Sequence, residues 1–415
     1  MTVPTTASTS APTEPGTEPL AGIRVLELST VVLGPLACQM LGDLGADVIK
    51  VESPGGDSNR QMGPARHPGM AAFYLTCNRN KRSVVLDVKH PAGREALLRL
   101  AAGCDVFVHN LRPQALARLD VGYDAVRRVN PRIVYCGTYG YSRSGPYAER
   151  AAYDDIIQAA SGVARLQASL AGEPRYVPTL VADKTTALAV VNAVLAALVH
   201  RERTGEGQEI EVPMFETMVA YVMVEHLFGG AFEPPEGAAG YTRLLSTHRR
   251  PYRTKDGYLA VLPYLDEHWR AFCGVAGRPE LATDPRFEVL SRRLDHIDEV
   301  YAETGRIVAT RTTAEWLEAL AGTDIPRMVV NSLDDLLTDE HLQATGFWQT
   351  VEHPTEGTLR MPGVPMTFSR TPGGIRRHPP RLGEHSVEML REAGLTTREI
   401  AALLEAGVTV QADEA

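Results

Sequence analysis

Short apolar runs rich in β-branched residues alternate with segments of helical spacing along the first half of the chain. The strand-like runs are GIRVLEL (22–28), ADVIKVE (46–52), RSVVLDV (82–88), CDVFVHN (104–110) and RIVYCGTYG (132–140). Apolar positions spaced as on a helix face fill the intervals, for example 34–45 and 91–103. Strands that alternate with helices predict a parallel sheet covered on both faces, so the pattern indicates an α/β fold with Rossmann-like layering.

The most apolar segment of the chain is ALAVVNAVLAALV at 187–199. Apart from Asn192 it has no polar position, which predicts a helix buried on every side within the protein. This run is shorter than the roughly 18 to 20 residues that cross a bilayer, so we expect no membrane span. Asp183 stands at the entrance of the segment, and its role there is the question that the sequence raises.

The second half of the chain changes character after a Gly/Pro-rich stretch, FGGAFEPPEGAAGYT, at 228–242. The pattern then predicts a hairpin that turns at 255–257, followed by helices at about 266–276 and 296–322. After Pro326 the residues again favour β-strands. We therefore expect a smaller α+β domain beside the Rossmann-like large domain. The expected division is a disordered tail (1–18), the first part of the large domain (19–225), a linker and small domain (226–330) and a return segment (331–415).

Composition narrows the class of function. With 42 basic against 51 acidic residues the formal charge is −9, which argues against a nucleic-acid partner. The five cysteines are scattered singly, so neither disulfides nor a structural metal are expected. The first eighteen residues lack the basic start and apolar core of a secretion signal, which favours a cytoplasmic location. No glycine-rich dinucleotide fingerprint follows the first strand and no P-loop is present, so the sheet serves another ligand.

Five blocks in order carry a specific resemblance over about residues 19–395. They read PLAGIRVLELSTVVLGPLACQMLGDLGADVIKVESPGGD, NKRSVVLDVKHPAGREAL, GYSRSGPYAERAAYDDIIQAASG, RERTGEGQEIEVPMFETMV and PRLGEHSVEMLREAG. They resemble the family III CoA-transferases, the group that includes formyl-CoA transferase, carnitine CoA-transferase and the α-methylacyl-CoA racemases. The resemblance implies acyl-CoA and carboxylic acid substrates, with no permanently bound cofactor, and an interlocked homodimer.

The same resemblance implies that Asp183, in the block LVAD, is the catalytic nucleophile. The chemistry is reasonable, because a carboxylate with an unperturbed pKa of about 3.9 is ionised at neutral pH and needs no partner base. It would attack a thioester carbonyl to form an acyl-aspartyl anhydride and a CoA thiolate. The alternative interpretation is that Asp183 only caps the following helix.

Basic and polar residues near the strand ends are candidates for holding CoA. The charged candidates are Lys81 and Arg82, whose cations suit phosphate, and the resemblance adds Asn110 and Arg118. Val32 and Leu33 lie in the loop after the first strand, where open α/β sheets bind ligands, although both replace polar or small residues of formyl-CoA transferase. Pro54 stands where that enzyme has a CoA-contacting arginine. The glycine-rich stretch at 137–147 could place Tyr139 and Tyr141 against the acyl carbonyl, or could simply form turns.

Two other functions compete with CoA transfer. The related racemases add a histidine in a GHD block, but the corresponding block here is AAYDD, which places Tyr153 at that position; a tyrosine hydroxyl, with an unperturbed pKa near 10, is a poor base at neutral pH. A non-catalytic acyl-CoA-binding protein would be favoured by loss of the aspartate, which is present. A basic cluster near the expected domain junction could hold the free carboxylate of a dicarboxylate donor such as succinyl-CoA, or could pair with acids across the dimer. Its members are Arg243, His248, Arg249 and Arg250.

Overall fold

The structure is a computed structural model that describes residues 16–413. The chain forms two compact units. In the described residues the large unit comprises 16–161, 178–220 and 340–413, and the small unit comprises 162–177 and 221–339. The small unit thus includes a segment, 162–177, that the sequence analysis assigns to the large domain. Most of the predicted disordered tail (1–15) lies outside the described residues, but Glu18 is buried and pairs with Arg376.

A six-stranded parallel sheet forms the centre of the large unit and confirms the predicted α/β class. Its strands are β1 (Arg24–Leu28), β2 (Asp47–Glu52), β3 (Lys81–Val85), β4 (Val106–His109), β5 (Val134–Tyr139) and β6 (Gln208–Pro213), in the order β3-β2-β1-β4-β5-β6. In the register, Leu26 of β1 lies beside Ile49 of β2 and Phe107 of β4. All three side chains are fully buried, as expected of strands covered on both faces.

Helices on both faces of the sheet complete the large unit. They are α1 (Leu33–Asp43), α2 (Ala72–Cys77), α3 (Pro91–Ala102), α4 (Pro113–Leu119), α5 (Tyr123–Val129), α6 (Asp154–Ala160), α8 (Val181–Thr204), α16 (Glu340–Ala344), α17 (Ser386–Glu392) and α18 (Thr397–Glu405); α9 (Met214–His226) begins in this unit. The return segment adds a hairpin of β10 (Trp348–His353) and β11 (Gly357–Pro362). Met389 and Leu390 of this segment are buried in the same core as Val84 and Leu97, so distant parts of the sequence share one core.

The long helix α8 differs from the prediction in two ways. It has 24 residues, because polar residues extend it beyond the apolar run, and by length and composition it could cross a membrane. Half of its most apolar window is buried within the chain. Its apolar character does not make it buried on every side, since Leu188 is 54% and Val199 is 50% exposed.

The small unit is built on a three-stranded antiparallel sheet of β7 (Tyr252–Arg253), β8 (Tyr258–Val261) and β9 (Arg327–Val329). The predicted hairpin is present as β7 and β8. Its helices are α7 (Val163–Ala171), α10 (Thr242–Leu245), α11 (Asp266–Val275), α12 (Leu290–Asp295), α13 (Ile297–Val308), α14 (Thr313–Ala319) and α15 (Leu333–Thr338). The helix predicted at 296–322 is two helices, because Thr312 and Glu315 form a capping box that starts α14 afresh.

Candidate active site

The point where the sheet changes winding direction lies between β1 and β4. From β1 the chain proceeds outward through β2 and β3, and from β4 it proceeds the other way through β5 and β6. In open parallel sheets such a switch point leaves a crevice at the carboxyl ends of the two strands. The Asn110 side chain spans this crevice, since it accepts from the Thr30 backbone N–H at 3.2 Å and donates to the Thr30 carbonyl at 2.8 Å.

Helix α8 brings Asp183 to the same edge of the sheet. The C-terminal part of α8 is fixed at the opposite, amino edge, where Arg201 pairs at 2.9 Å with Asp105, the residue just before β4. A short turn then leads into β6. Because α8 runs back along the sheet from the carboxyl edge to the start of β6, its first turn lies on the carboxyl side of the sheet. Asp183 is the third residue of that turn.

Asp154, and not Asp183, caps α8. The residue at the N-cap position, Leu180, offers no side-chain cap. The buried Asp154 carboxylate supplies it from α6: its Oδ1 accepts the backbone N–H groups of Ala182 at 2.8 Å and Asp183 at 3.0 Å, and its Oδ2 accepts from Gln158 at 2.6 Å. The cap interpretation of Asp183 is therefore wrong. The Asp183 side chain makes no hydrogen bond or ion pair with any residue in 16–413.

Its surroundings raise the pKa of Asp183 to about 7. Burial is the larger cause, since it disfavours the charged form, and the negative charge of Asp154 adds to it. The helix N-terminus favours the anion by only about 0.3–1 kcal/mol, which is too little to offset these effects. The expectation of an unperturbed acidic carboxyl was thus wrong, and near neutral pH Asp183 is a half-ionised carboxylate of raised basicity.

The loop after β1 is held in an unusual conformation beside the crevice. Val31, a β-branched residue, has a φ of 71°, a region that such side chains rarely adopt. Its backbone is held on both sides, because the N–H donates to Asp57 Oδ1 at 3.2 Å and the carbonyl accepts from the Asn59 amide. Val32 and Leu33 follow with side chains 2% and 4% exposed, so only the loop around Thr30 and Val31 presents groups to the outside.

Behind this loop lies a buried network of charged side chains, and it includes Lys81, which was predicted to bind CoA. Lys50 bonds Glu27 at 3.0 Å and Asp57 at 2.9 Å, and Lys81 pairs with Glu27 at 2.7 Å. The remaining donors of Lys81 reach the Pro35 carbonyl and Asn78. With three partners and no exposed surface, the Lys81 ammonium has no donor left for CoA, contrary to its predicted role.

Arg82 also lies away from the crevice. It is at the start of β3 and pairs with Asp47, which begins β2, so its guanidinium is at the amino edge of the sheet. Its Nη1 also forms ion pairs with two residues of α17, Glu388 Oε1 at 2.9 Å and Glu392 Oε1 at 3.0 Å. The side chain is 6% exposed. Arg82 is thus a link between the sheet and the return segment and does not face a CoA site.

Arg118 lines a cationic pocket at the carboxyl edge. The pocket has a volume of about 500 Å³ and is lined by Val88, Lys89, Pro91, Arg94, Arg118 and Leu119. Lys89 follows β3 and Arg118 lies on α4, which follows β4. Arg94 pairs with Asp120 at 2.9 Å, whereas neither Lys89 nor Arg118 has an acidic partner within residues 16–413. The pocket can therefore accept an anion.

The glycine-rich stretch has a packing explanation. A Cβ on Gly137 would lie 2.6 Å from the Tyr139 hydroxyl, and one on Gly140 would lie 2.3 Å from Ala152 Cβ. Tyr139 is buried with no partner for its hydroxyl in the described residues, and burial raises its pKa to about 12. Tyr141 packs against Tyr147 and Phe215. Close packing against the Tyr139 and Ala152 side chains accounts for Gly137 and Gly140.

Sequence reasoning missed His109 and Asp154. His109 is fully buried at the end of β4, its Nδ1 accepts from the Leu111 N–H at 3.3 Å, and its Nε2 has no partner in the part of the chain described. Burial, together with the Arg143 charge, lowers the pKa of His109 to about 3, so the ring is neutral. The only signal for Asp154 was its place in AAYDD, one residue after the position where related racemases carry histidine.

Comparison with known proteins gives consistent results. The model of CoA-transferase family III matches residues 20–386. Succinyl-CoA:glutarate CoA-transferase of Homo sapiens is 32% identical over 95% of this chain and 90% of that protein. Succinate–glutarate CoA-transferase of Agrobacterium fabrum is 36% identical over 90% of this chain and 95% of that protein. Formyl-CoA:oxalate CoA-transferase of Escherichia coli is 31% identical over 93% of this chain and 98% of that protein. Among solved structures, a CAIB/BAIF family protein from Brucella suis matches with a TM-score of 0.77 and 31% identity, over 91% of this chain and 100% of that one.

Proposed function

This chain belongs to CoA-transferase family III and transfers CoA between an acyl-CoA and a carboxylic acid, and we propose that Asp183 holds first the donor and then the acceptor acyl group as a mixed anhydride while CoA passes from one acid to the other. The observation that supports this role is the state of the carboxylate. Asp183 lies largely buried and without a partner among residues 16–413 in the first turn of α8, with a pKa of about 7. A structural carboxylate would be solvated or paired, whereas a nucleophile needs a free lone pair of raised basicity.

The proposed reaction balances in three steps. An Asp183 oxygen attacks the donor thioester carbon, the C–S bond breaks, and CoA leaves as a thiolate, giving a mixed anhydride. The acceptor carboxylate then attacks the aspartyl carbonyl, and the donor acid leaves as a carboxylate. Finally the CoA thiolate attacks the acceptor acyl carbon and releases the Asp183 carboxylate. Each intermediate keeps its acyl group activated, so little bond energy is lost in the exchange.

Hydroxylamine trapping tests this proposal. With an acyl-CoA and no acceptor, hydroxylamine should attack the aspartyl carbonyl of the anhydride and leave a hydroxamate on Asp183, which mass spectrometry of the digested protein would locate. A hydroxamate on another residue, or none above a control without acyl-CoA, would contradict the covalent role of Asp183.

The substrates are proposed to be dicarboxylates and their CoA thioesters. The names of three relatives contain succinate, glutarate or oxalate, all of which have two carboxylates. A relative at 31–36% identity supports the class of substrate and not the individual acid. Screening the purified protein with succinyl-CoA against acids of two to six carbons would identify the pair.

The cationic pocket of Lys89, Arg94 and Arg118 is proposed to bind the phosphates of CoA. We expect Arg118→Ala to weaken the affinity for free CoA by about 1.5–3 kcal/mol, because a charge-assisted bond to phosphate would be lost. Isothermal titration with free CoA measures this. Arg99→Ala is the matched control, since Arg99 lies on α3 and pairs with Glu95 and Glu399 but does not line the pocket. Equal affinities of both variants and the wild type would remove Arg118 from the site.

We also propose that the protein is an interlocked homodimer. Leu188, Asn192, Leu195 and Val199 follow one stripe of α8, spaced as neighbours on one helix face, and Leu188 and Val199 are half exposed. Water-exposed apolar side chains on a core helix favour cover by another surface. A second copy of the chain meets that need, as the family resemblance implies.

Sedimentation tests the dimer. We expect the wild type to sediment as a dimer at micromolar concentration, and Val199→Asp to lower the dimer fraction, because a charge buried in an interface is costly. Val129→Asp, at an apolar residue of similar exposure on α5, should leave it unchanged. A stable, active wild-type monomer would contradict the proposal.

A further inference from the structure

A basic cavity lies entirely within the small unit. Its volume is about 470 Å³, in the range of ligand pockets. Four arginines line it, namely Arg243, Arg249, Arg250 and Arg327, together with Tyr252 and Tyr301. No aspartate or glutamate is among its lining residues. An acid-free cavity is unexpected in a chain whose formal charge is −9.

The arginines of this cavity lack counter-ions of their own. Arg243, Arg249 and Arg250 form no ion pair with a carboxylate in residues 16–413, whereas Arg286 and Arg293 of the same unit pair with nearby acids. Like charges gathered without partners repel and destabilise the fold. A bound anion would remove that repulsion, so the arrangement favours anion binding.

Two of the guanidinium groups are held in place. Arg243 donates from Nε to the Tyr301 hydroxyl at 2.9 Å and lies 4.9 Å from the centre of the Tyr264 ring. Arg327 donates to the carbonyls of Thr323 and Ile325. Each arginine has five N–H donors, so both keep free donors after these bonds. Fixed guanidinium groups lose less freedom on binding and match the geometry of carboxylates.

The remaining walls indicate the kind of anion. Pro251, Leu262 and Met328 add apolar surface to the lining. An inorganic anion would leave this surface without a contact, whereas an organic acid covers it with its carbon chain. Arg249 and Arg250 are exposed at the cavity, so more than one acidic group of a ligand can be paired.

We propose that this cavity binds a small organic dianion of the dicarboxylate class, with both carboxylates paired to arginine. The choice of carboxylate over phosphate rests on the proposed function, in which dicarboxylates are substrates. The anion site itself follows from the arginines alone. Its lining residues belong to the small unit, and none of them lines the Arg118 pocket.

Titration calorimetry at constant ionic strength tests the site, with glutarate, butyrate and inorganic phosphate as probes. The protein is the full chain carrying Asp183→Asn, so binding is measured without the chemistry of Asp183. We expect glutarate to bind at least tenfold more tightly than butyrate or phosphate. The double variant Arg249→Gln/Arg250→Gln should weaken glutarate at least tenfold, and Arg286→Gln, which removes one charge elsewhere in the unit, should change it less than twofold.

Three results would overturn the proposal. Undiminished glutarate affinity in the double variant would remove the cavity as the site. Phosphate binding as tight as glutarate, and lost in the same variant, would refute the dicarboxylate assignment. An equal loss of glutarate affinity in Arg286→Gln would show that the net charge of the small unit, and not this cavity, determines the affinity. None of these results affects whether hydroxylamine traps a hydroxamate at Asp183. Failure of the cavity proposal can therefore be distinguished from failure of the proposed catalytic role of Asp183.

Discussion

Asp183→Asn should abolish CoA transfer while leaving CoA binding intact. The amide has the size of the carboxyl group but no anionic oxygen to attack the thioester, so we expect a loss of at least a thousandfold in kcat. The rate of CoA transfer from succinyl-CoA to a dicarboxylate, followed by mass spectrometry, measures the loss of activity. Titration with free CoA measures the affinity for CoA.

Asp183→Glu separates charge from position. It keeps the anion but moves it by one methylene, and a displacement of about 1 Å can cost on the order of a hundredfold in rate. Asp155→Asn is the matched control, since Asp155 is an exposed neighbour of Asp154 on α6. If Asp183→Asn retained transfer, or if Asp155→Asn lost as much, the nucleophile would have to be sought elsewhere.

Folding of the Asp183→Asn variant can be checked through its pH dependence. The folded pKa of about 7 is above the unfolded value of 3.8, so the protonated carboxyl stabilises the fold. That contribution is fully present below about pH 4 and is lost as pH rises through 7. A neutral asparagine has no such loss, so the variant should melt at a higher temperature than the wild type at pH 8. A variant that melts lower would reveal a folding defect instead.

The activity of the wild type should rise steeply with pH up to about 7. Only the Asp183 anion attacks, and its pKa in the free protein is about 7. Below that value kcat/KM should fall about tenfold per pH unit, or roughly fiftyfold between pH 7 and pH 5. A profile that is flat down to about pH 4 would contradict the raised pKa.

Asp154→Asn tests the cause of this profile. The asparagine oxygen can still accept the N–H groups of Ala182 and Asp183, so the cap is retained while the charge is removed. The midpoint of kcat/KM against pH should therefore move to lower pH. Asp154→Ala removes the cap as well, and should additionally lower the melting temperature. An unmoved midpoint in Asp154→Asn would show that burial alone raises the pKa.

The layers of the large unit could be predicted because both faces of its sheet are covered. Its strands β4 and β5 are buried at every position. The small unit was less predictable. Its helical spacing continues past Val308, and only the capping box at Thr312 marks the break.

Roles that depend on distant partners were predicted poorly. Lys81 and Arg82 have the residue types and the strand position of phosphate ligands. Folding instead places Lys81 against Glu27, and Arg82 against Glu388, which is 306 positions away in the chain. A basic residue is available to a ligand only if no acid reaches it first, and that depends on which segments pack together.

The sequence by itself determined the alternation of strands and helices, the family of the chain, and the position of one carboxylate at the start of a long helix. These follow from local spacing and residue identity. Only the tertiary structure decided the charge state of that carboxylate. The pKa of Asp183 depends on how much water reaches it and on Asp154, which lies 29 positions earlier. Solvent exclusion and the approach of two like charges exist only once α6 and α8 have packed.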